Sequence, residues 1–433
     1  MINTGISNFD AVANFLLLML IAYPILGSFC WLIGMTCYQF LYAHRITNYK
    51  KIDKKHQPFI TIMIPAHNEE VMIEDTINYL MNDLNYSNYE VLVTDDGSTD
   101  STPEILKRLM LKYNNLKVIR IEKNQGKAHA FNIGIAFTKG EFILSNDADS
   151  IPEPDALWKY MNYFNTSEGQ NVAAVTANMD VQNRDTIICK SQTVEFSSIV
   201  GIIKRSQVGV FGNMYAYSGA NTMYRRNALI DVGLFRQDRA TEDISIAWDH
   251  QISGWSTVFA PNIIFYMNVP DNLKSLYHQR KRWAKGGTEV WLSNFWKIAL
   301  HPFKRTRQIA FLVDQTFSIV WSFFYFISLM LFIASLIGFI FTGNLQQVIF
   351  LFAMSFVFIT FEMIAGIIQL GAALIVDERG RKFKYLLFMP FYSLVYWQVN
   401  SFSVVTTFIP AIRTIMGHGQ GTWESPKRHR KNT

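Results

Sequence analysis

Long uncharged stretches of hydrophobic residues lie towards both ends of the chain and enclose a region of ordinary polarity. Residues 11–42 contain no charged side chain, and residues 311–341 and 346–376 contain one carboxylate each. A further apolar stretch at 385–412 is interrupted by two prolines. Because about 20 apolar residues cross a bilayer, we expect four membrane spans, with a re-entrant or broken pair as the alternative for the last stretch.

The region between these stretches alternates β-branched runs with segments of helical periodicity. Strands are predicted at 59–65, 89–94, 116–121 and 141–145, and helices at 69–81, 101–110 and 126–137. Strands separated by helices of this length form βαβ units, so we expect an α/β domain with a mainly parallel sheet. In such sheets, ligands bind at the carboxyl ends of the strands.

The composition agrees with a soluble domain diluted by membrane spans. Of the 433 residues, 50% are hydrophobic and 17% are charged, against roughly 25% charged residues in an average globular chain. This excludes a disordered chain and a coiled-coil rod, and three cysteines cannot form a disulfide framework. The net charge is +6, but the sequence carries no nucleic-acid-binding motif, so we expect no nucleic acid partner.

Basic residues beside the spans predict the orientation of the chain. The run from Arg45 to Lys55 places the N-terminus outside and the following domain in the cytoplasm, and the basic loop at 377–384 is also predicted to be cytoplasmic. A single fourth span would put the basic C-terminal tail outside, so the side of the tail is left open.

Basic and apolar residues interleave just before the second span, which predicts an amphipathic helix on anionic headgroups, with a solvated helix face as the alternative. The predicted division is an N-terminal transmembrane helix at 1–44, a cytoplasmic domain at 45–290, an interfacial helix at 291–310, C-terminal transmembrane helices at 311–412 and a basic tail at 413–433.

Residues suited to ligand binding follow three of the predicted strands. They are Ala66, His67 and Glu69 after the first, Asp95 and Asp96 after the second, and Asp147 and Asp149 after the fourth. Each acidic pair alone is also typical of a turn or a helix cap. Gathered in one cleft, however, like charges repel unless a cation is bound. We therefore expect Mg²⁺ or Mn²⁺, shared with the phosphates of a nucleoside diphosphate.

Lys127 adds a positive charge at the start of the third predicted helix, directly after Gly126. The backbone N–H groups of a helix N-terminus and a lysine both suit an anion. The alternative is a glycine turn with a surface lysine. Because the acidic clusters are predicted to lie nearby, we favour a role for Lys127 in substrate binding.

Four short motifs occur in order along the chain. They are Asp95-Asp96-Gly97, Asp147-Ala148-Asp149, Thr241-Glu242-Asp243 and Gln279-Arg280-Lys281-Arg282-Trp283. Because of these motifs, the whole chain, including the predicted spans, resembles the processive family 2 glycosyltransferases. These are membrane enzymes that synthesise cellulose, chitin, hyaluronan and poly-N-acetylglucosamine. These have the GT-A fold of nucleotide-diphospho-sugar transferases. Residues 195–207 and 423–426 resemble the poly-β-1,6-N-acetylglucosamine synthases among them.

The resemblance implies a role for each donor-side residue. Asp95 or Asp96 would hold the uridine of a UDP-sugar donor. Asp147 would contact the ribose and diphosphate, and Asp149 would bind the metal, with Asp147 as a second ligand.

On the acceptor side, the resemblance makes Asp243 the general base that deprotonates the acceptor hydroxyl, with Glu242 as the alternative base. Gln279, Arg282 and Trp283 would lie over the acceptor, where an indole stacks on a sugar ring and an arginine reaches the pyrophosphate. Ser218, Gly219 and Ala220 resemble a loop of small residues that lets the acceptor glycan approach the backbone; a plain turn is the alternative.

We therefore expect a multi-pass enzyme of a bacterial cell membrane that polymerises N-acetylglucosamine from UDP-N-acetylglucosamine into a β-1,6-linked biofilm exopolysaccharide. The resemblance also implies a growing polysaccharide as acceptor, a small membrane partner subunit and a separate deacetylase acting outside. The alternatives are a synthase of hyaluronan, chitin or cellulose, a lipid glycosyltransferase, or a transporter with a degenerate nucleotide domain. Glu362, inside a predicted span, either lines a polysaccharide path or pairs with a polar neighbour.

Overall fold

The computed structural model describes residues 7–42, 56–166 and 168–418. The first element is the long helix α1, Ser7–Leu41. The basic run from Arg45 to Lys55, the motif at 423–426 and the basic tail residues beyond it lie outside the described residues.

An eight-stranded sheet forms the centre of the domain that follows α1. Its strands are β1 Ile60–Ala66, β2 Tyr89–Asp96, β3 Leu116–Ile121, β4 Phe142–Ser145, β5 Ile151–Pro152, β6 Val172–Val181, β7 Thr222–Arg225 and β8 Ser256–Met267. They lie in the order β3-β2-β1-β4-β7-β6-β8-β5. The strands β3, β2, β1 and β4 pair in parallel, as do β6 and β8, whereas β7 and β5 are antiparallel to their neighbours. The predicted mainly parallel sheet is confirmed.

Helices cover both faces of this sheet. They are α2 Ile73–Asn82, α3 Thr102–Lys112, α4 Lys127–Phe137, α5 Ala156–Phe164, α6 Ile187–Phe196, α7 Lys204–Phe211, α8 Arg226–Asp231, α9 Glu242–Ile252 and α10 Leu273–Ala299. Side chains alternate between the faces of a strand, so Ile62 and Ile64 of β1 pack in one core with α2, α3 and α5, whereas Met63 packs in a second core with α4. Burial on both faces explains why β1 is a continuous apolar run.

Three of the helices within the described residues are long and apolar enough to cross a membrane: α1, α11 and α12. The C-terminal helices are α11 Thr306–Phe341, α12 Leu345–Val376, α13 Met389–Phe391 and α14 Trp397–Ile415. The fourth predicted span is not among the three. Residues 383–396 form a series of short helical turns instead of one long helix. The helix α14, which follows them, packs along α10 and α11.

The predicted boundary at 290/291 is wrong, because α10 runs through it without a break. The interfacial helix predicted at 291–310 consists of the end of α10, a turn and the start of α11. Val290 and Ile298 on this part of α10 pack against Trp248 and Phe311 in a hydrophobic cluster. One face of the segment is therefore covered by protein.

The loop that follows α12 is anchored to the sheet domain. Lys382 Nζ lies 2.9 Å from Asp180 Oδ1 of β6, 2.9 Å from Asp377 Oδ2 and 2.8 Å from Glu378 Oε1. Asp377 also accepts a hydrogen bond from Asn178 Nδ2 at 2.7 Å. Burial by itself lowers the pKa of Lys382, but the three carboxylates outweigh it and hold the pKa above its ordinary value. This end of α12 is therefore fixed against the sheet domain.

Candidate active site

The carboxyl ends of β1, β2 and β4 meet at one edge of the sheet. Ala66, the last residue of β1, is paired in register with Asp95 of β2, and Met63 is paired with Ser145 at the end of β4. Because the pairing is parallel, the residues at these strand ends emerge on the same side. The two aspartates of β2 and the two after β4 are thus brought towards one cleft, as the sequence predicts.

Asp96 shapes the loop that leads into α4. Its carboxylate accepts hydrogen bonds from the backbone N–H groups of Gly126 at 2.8 Å and Gln125 at 3.1 Å. Gly126 has a φ of 100°, in the left-handed region that favours glycine. The backbone carbonyl of Asp96 accepts a further hydrogen bond from His67 Nδ1 at 2.8 Å. Asp96 and His67 therefore hold the shape of the cleft, and both Asp96 carboxylate oxygens are engaged.

Asp95 differs from Asp96 in that one of its carboxylate oxygens receives no hydrogen bond from a described residue. Oδ1 accepts a hydrogen bond from the Ser98 N–H at 3.0 Å. Oδ2 is buried, and no described residue donates a hydrogen bond to it, although Arg120 Nε lies 3.9 Å away. A buried acceptor without a donor is costly, so Asp95 is better placed than Asp96 to accept an N–H or O–H from a ligand.

Two other residues predicted after the first strand lie in the packing beneath the cleft. Ala66 is part of the hydrophobic core. Glu69 is buried, and its backbone N–H donates to Thr102 Oγ1 at 2.9 Å. These contacts support the strand end.

Lys127 bridges the acidic residues after β4 and the first turn of α9. Its Nζ lies 2.7 Å from Asp147 Oδ1, 3.2 Å from Glu242 Oε1 and 3.3 Å from the carbonyl oxygen of Gly219. The side chain is only 9% exposed, so the surface-lysine alternative is wrong. Burial lowers the pKa of Lys127, but Asp147, Glu242 and Asp243 outweigh it and hold the pKa above its ordinary value. The residue is therefore a fixed positive charge.

Asp243 lies in the first turn of α9, next to Glu242. Its Oδ2 accepts a hydrogen bond from the Gly219 N–H at 3.0 Å, and its Oδ1 accepts one from the Ile244 N–H at 2.9 Å. Burial, together with the charge of Glu242, raises the pKa of Asp243 to about 6, against the opposing effects of Lys127 and Arg282. A carboxylate of this kind is suited to accept a proton near neutral pH.

The loop of small residues predicted at 218–220 brings backbone into this cluster. A Cβ on Gly219 would lie 3.0 Å from Lys127 Nζ, 3.1 Å from Glu242 Oε1 and 3.4 Å from Asp243 Oδ2. A side chain at this position would therefore crowd the three charged groups, which would have to shift by a few tenths of an ångström. Ser218 is the first residue of this loop, and its N–H donates to Thr176 Oγ1 at 3.1 Å.

The predicted acceptor residues lie on α10. Arg280 Nη1 donates to Gln279 Oε1 at 2.9 Å, and the Arg280 guanidinium carbon lies 4.1 Å from the centre of the Trp283 ring. Trp283 also packs against the hydrophobic cluster that contains Ala220. The charge of Arg282 acts on Asp243, whose pKa it lowers. The motif on α10 thus adjoins both the small-residue loop and α9.

Asp147 and Asp149 are the candidate metal ligands, between β4 and β5. Within residues 7–42, 56–166 and 168–418, no group of three or more His, Cys, Asp and Glu side chains is arranged to hold a metal ion. Two carboxylates nevertheless suit Mg²⁺ or Mn²⁺ when phosphate oxygens of a nucleotide complete the coordination. The donor set therefore fits a divalent cation that binds together with its substrate.

Comparison with known proteins decides the family. The sequence profile of Glycosyl transferase family 2 matches residues 61–233. The chain is 31% identical over 426 residues to the poly-β-1,6-N-acetyl-D-glucosamine synthase of Staphylococcus epidermidis, covering 96% of this chain and 98% of that protein. It is 32% identical over 419 residues to the synthase of the same name from Staphylococcus aureus (strain COL), with the same coverage. The chain belongs to glycosyl transferase family 2.

A solved structure confirms the fold of this family 2 glycosyltransferase. The mannosyltransferase PcManGT from Pyrobaculum calidifontis, in complex with GDP-Man and Mn²⁺, matches it with a TM-score of 0.57 and 17% sequence identity. The match covers 91% of this chain and 99% of that one. The predicted GT-A domain is thus confirmed, and the flanking long apolar helices indicate association with a membrane.

Sequence reasoning did not single out Glu195 and Arg280, which form a buried ion pair beside the α10 motif. Arg280 Nη2 donates to Glu195 Oε2, and both side chains are almost fully buried. Arg280 lies between Gln279 and Arg282 in the motif, and the resemblance gives it no role of its own. The one available signal was Glu195, an acidic residue in the otherwise uncharged run 191–203.

Proposed function

We propose that this family 2 glycosyltransferase is a processive inverting enzyme that polymerises N-acetylglucosamine from UDP-N-acetylglucosamine into a β-1,6-linked exopolysaccharide. One observation carries the proposal: the identity to synthases of this name extends over 96% of the chain and includes the long apolar helices. The arrangement of Asp243, Lys127 and the α10 motif supports it, because it supplies a base, a cation and an acceptor platform in one cleft.

Asp243 is proposed as the general base. Its carboxylate takes the proton from the acceptor 6-hydroxyl as that oxygen bonds to the anomeric carbon of the donor. The bond from the anomeric carbon to the diphosphate breaks at the same time, and UDP leaves with the electron pair. Attack opposite to the leaving group converts the α-linked donor into a β-linkage.

Glu242 is the weaker candidate for this role. Its Oε1 lies 3.2 Å from the Lys127 ammonium, whereas Asp243 accepts hydrogen bonds from backbone N–H groups only. A carboxylate paired with a fixed cation is a poor proton acceptor. We therefore assign to Glu242 the task of holding Lys127 and raising the pKa of its neighbour.

On the donor side, we propose that the uridine contacts Asp95, whose Oδ2 is available, and that Asp96 and His67 maintain the loop beside it. Asp147 and Asp149 would hold Mg²⁺ or Mn²⁺, which would stabilise negative charge on the departing diphosphate when bound. Lys127 adds a positive charge at the N-terminus of α4, where an anion is favoured.

On the acceptor side, we propose that Trp283 stacks on the terminal sugar and that Gln279 donates a hydrogen bond to it from its amide nitrogen. Arg282 lies between this sugar and Asp243, where its charge favours the ionised base. The loop at 218–220 allows the sugar to approach the backbone.

We also propose that α1, α11 and α12 cross a bacterial cell membrane and that the catalytic domain faces the cytoplasm. The predicted positive-inside orientation supports this, as does the loop after α12, which the Lys382 contacts tie to the sheet domain. Because α14 packs along α10, we place α14 and the chain after it on the cytoplasmic side. With three crossings, the basic tail no longer conflicts with the positive-inside rule. A small membrane subunit and an external deacetylase are proposed as partners from the resemblance.

A labelled-donor assay tests the function. The full chain in membrane vesicles is incubated with radiolabelled UDP-N-acetylglucosamine and Mg²⁺ or Mn²⁺, and the product is digested with β-1,6- and β-1,4-specific hexosaminidases. We expect long polymer that only the β-1,6-specific enzyme degrades, and no polymer after chelation of the metal. Incorporation of glucose or glucuronic acid instead would assign a different synthase, and absence of UDP release would favour a transporter.

A further inference from the structure

A buried ion pair joins α6 to α10 beside the acceptor motif. Arg280 Nη2 donates to Glu195 Oε2, and the two side chains are 3% and 1% exposed. The residues are 85 positions apart in the sequence, so the pair forms only when the helices pack. The arginine is therefore unable to extend into the cleft while Glu195 holds it.

The same guanidinium contacts two residues that the proposed function places against the acceptor. Nη1 donates to Gln279 Oε1 at 2.9 Å, and the guanidinium carbon lies 4.1 Å from the centre of the Trp283 ring. A planar guanidinium can bind a carboxylate along one edge and stack on an aromatic face at the same time. Because Gln279 Oε1 is occupied by Arg280, the Gln279 amide nitrogen is turned away from the guanidinium.

The segment after α12 packs against α6, the helix that carries Glu195. Tyr396 donates from its hydroxyl to the carbonyl oxygen of Ile188 in α6, at 2.9 Å, and its side chain is buried. The ion pair itself is almost fully buried, and an attraction between a cation and an aromatic ring is stronger without water.

We propose that Glu195 and Arg280 are positioning residues of the acceptor site. Their ion pair fixes the plane of the Trp283 indole and the rotamer of Gln279, and thereby the orientation in which the terminal sugar of the acceptor glycan binds. This inference rests on the proposed polymerase function. Neither residue touches the donor or the reacting atoms; both act through Gln279 and Trp283.

The test separates acceptor binding from donor chemistry. Arg280→Met, Arg280→Lys and Glu195→Gln are compared with the wild-type chain in two assays: UDP release without acceptor, and transfer to a short β-1,6-linked N-acetylglucosamine oligosaccharide. We expect the acceptor KM to rise about tenfold in Arg280→Met, while UDP release and the donor KM stay within about twofold. Arg280→Lys should not restore the wild-type KM, because an ammonium group cannot serve all three partners.

A double-mutant cycle tests whether Arg280 acts through the indole. If it does, Arg280→Met together with Trp283→Ala raises the acceptor KM no further than Trp283→Ala alone. Lys159→Met in α5 is the control, since it removes a 2.6 Å ion pair with Glu153, which precedes that helix, and no residue of the α10 motif takes part in the pair. We expect wild-type kinetics from it.

Three results would overturn the inference: an unchanged acceptor KM, multiplicative effects in the cycle, or an equal loss of UDP release and transfer. If Arg280→Met does not accumulate in the membrane, Glu195→Gln, which preserves side-chain volume, gives the same readouts. A wild-type chain that transfers no N-acetylglucosamine contradicts the proposed function itself. If the wild-type chain transfers N-acetylglucosamine and the variants have the wild-type acceptor KM, only the positioning role is contradicted.

Discussion

Lys127 Nζ lies 3.2 Å from Glu242 Oε1, while the next residue, Asp243, accepts hydrogen bonds from backbone N–H groups only. Two adjacent carboxylates are thereby given different environments. The one paired with the lysine is held as a charged structural group. The other, with its pKa raised to about 6 by burial and by that neighbour, remains able to take a proton.

Replacing the proposed base should separate activity from stability. We expect Asp243→Asn to lower polymer synthesis by about 10²–10⁴-fold with donor binding retained, because only the proton acceptor is removed. Donor binding is measured by titration with UDP-N-acetylglucosamine. Wild-type synthesis by this variant would exclude Asp243 as the base.

The same variant should also be more stable. The folded-state pKa of Asp243 lies above its ordinary value of 3.8, so the protonated form favours folding. This contribution is complete below pH 3.8 and is lost as the pH rises through about 6. At pH 7.5 the ionised carboxyl therefore opposes folding, and Asp243→Asn should raise Tm by about 2–4 °C. A thermal unfolding scan in detergent checks this, and a lower Tm would contradict it.

The pH dependence of transfer should follow the base. The rate should fall as the pH decreases through about 6, because protonated Asp243 cannot accept a proton. Glu242→Gln should move this fall to lower pH, since Glu242 raises the pKa of Asp243. The measurement is a kcat profile between pH 5 and 8. A fall that stays in place or moves to higher pH contradicts the assigned electrostatics.

Gly219 should not tolerate a side chain. We expect Gly219→Ala to lower kcat by about 10- to 100-fold, because its Cβ would lie 3.0 Å from Lys127 Nζ and 3.1 Å from Glu242 Oε1. Gly338→Ala in α11 is the matched control, since no atom lies within 4 Å of its added Cβ. Equal activity in both variants would mean that the charged groups give way without loss.

The loop after α12 should be a source of stability. Lys382→Met removes the cation that the buried carboxylates of Asp180 and Asp377 share, although Arg184 still pairs with Asp180; breaking a buried ion pair typically costs about 3–5 kcal/mol. Arg108→Met removes an exposed pair with Glu74 and should cost less than about 1 kcal/mol. Unfolding in denaturant, followed by tryptophan fluorescence, compares them. Similar values for the two variants would contradict the anchoring role.

The proposed topology predicts the labelling of single cysteines in a background without the native ones. A cysteine at Asn344, between α11 and α12, should react with an impermeant maleimide from outside intact cells. Cysteines at Met416 and, as a cytoplasmic control, Lys107 should react only after permeabilisation. Labelling of Met416→Cys from outside would indicate that the chain crosses the membrane a fourth time.

The local pattern of residues was enough to predict much of the architecture. The β-branched runs and the helical spacing between them predicted the strands β1 to β4 and their parallel pairing, because strands joined by helices of this length pair in parallel. The parallel pairing of the strands then predicted that Asp95, Asp96, Asp147 and Asp149 lie at the same edge of the sheet. The long apolar stretches predicted the helices that became α1, α11 and α12.

The C-terminal region shows where that reasoning ended. An apolar run such as 385–412 suits a lipid bilayer and a protein surface equally well. Its packing against α10 and α11 depends on helices that end more than 40 residues earlier in the chain. Only the folded chain therefore supports the proposal that α14 lies outside the membrane.

Charge pairing, likewise, was decided by tertiary structure. The position of Lys127 at a helix start, and the resemblance that singles out Glu242 and Asp243, were enough to identify these three residues from the sequence, since residue type determines charge and hydrogen-bonding capacity. Which carboxylate meets the lysine, and that Arg280 turns to Glu195 instead of the cleft, followed from the packing of distant helices. Electrostatic energy depends on distance and burial, and neither is set by the order of residues along the chain.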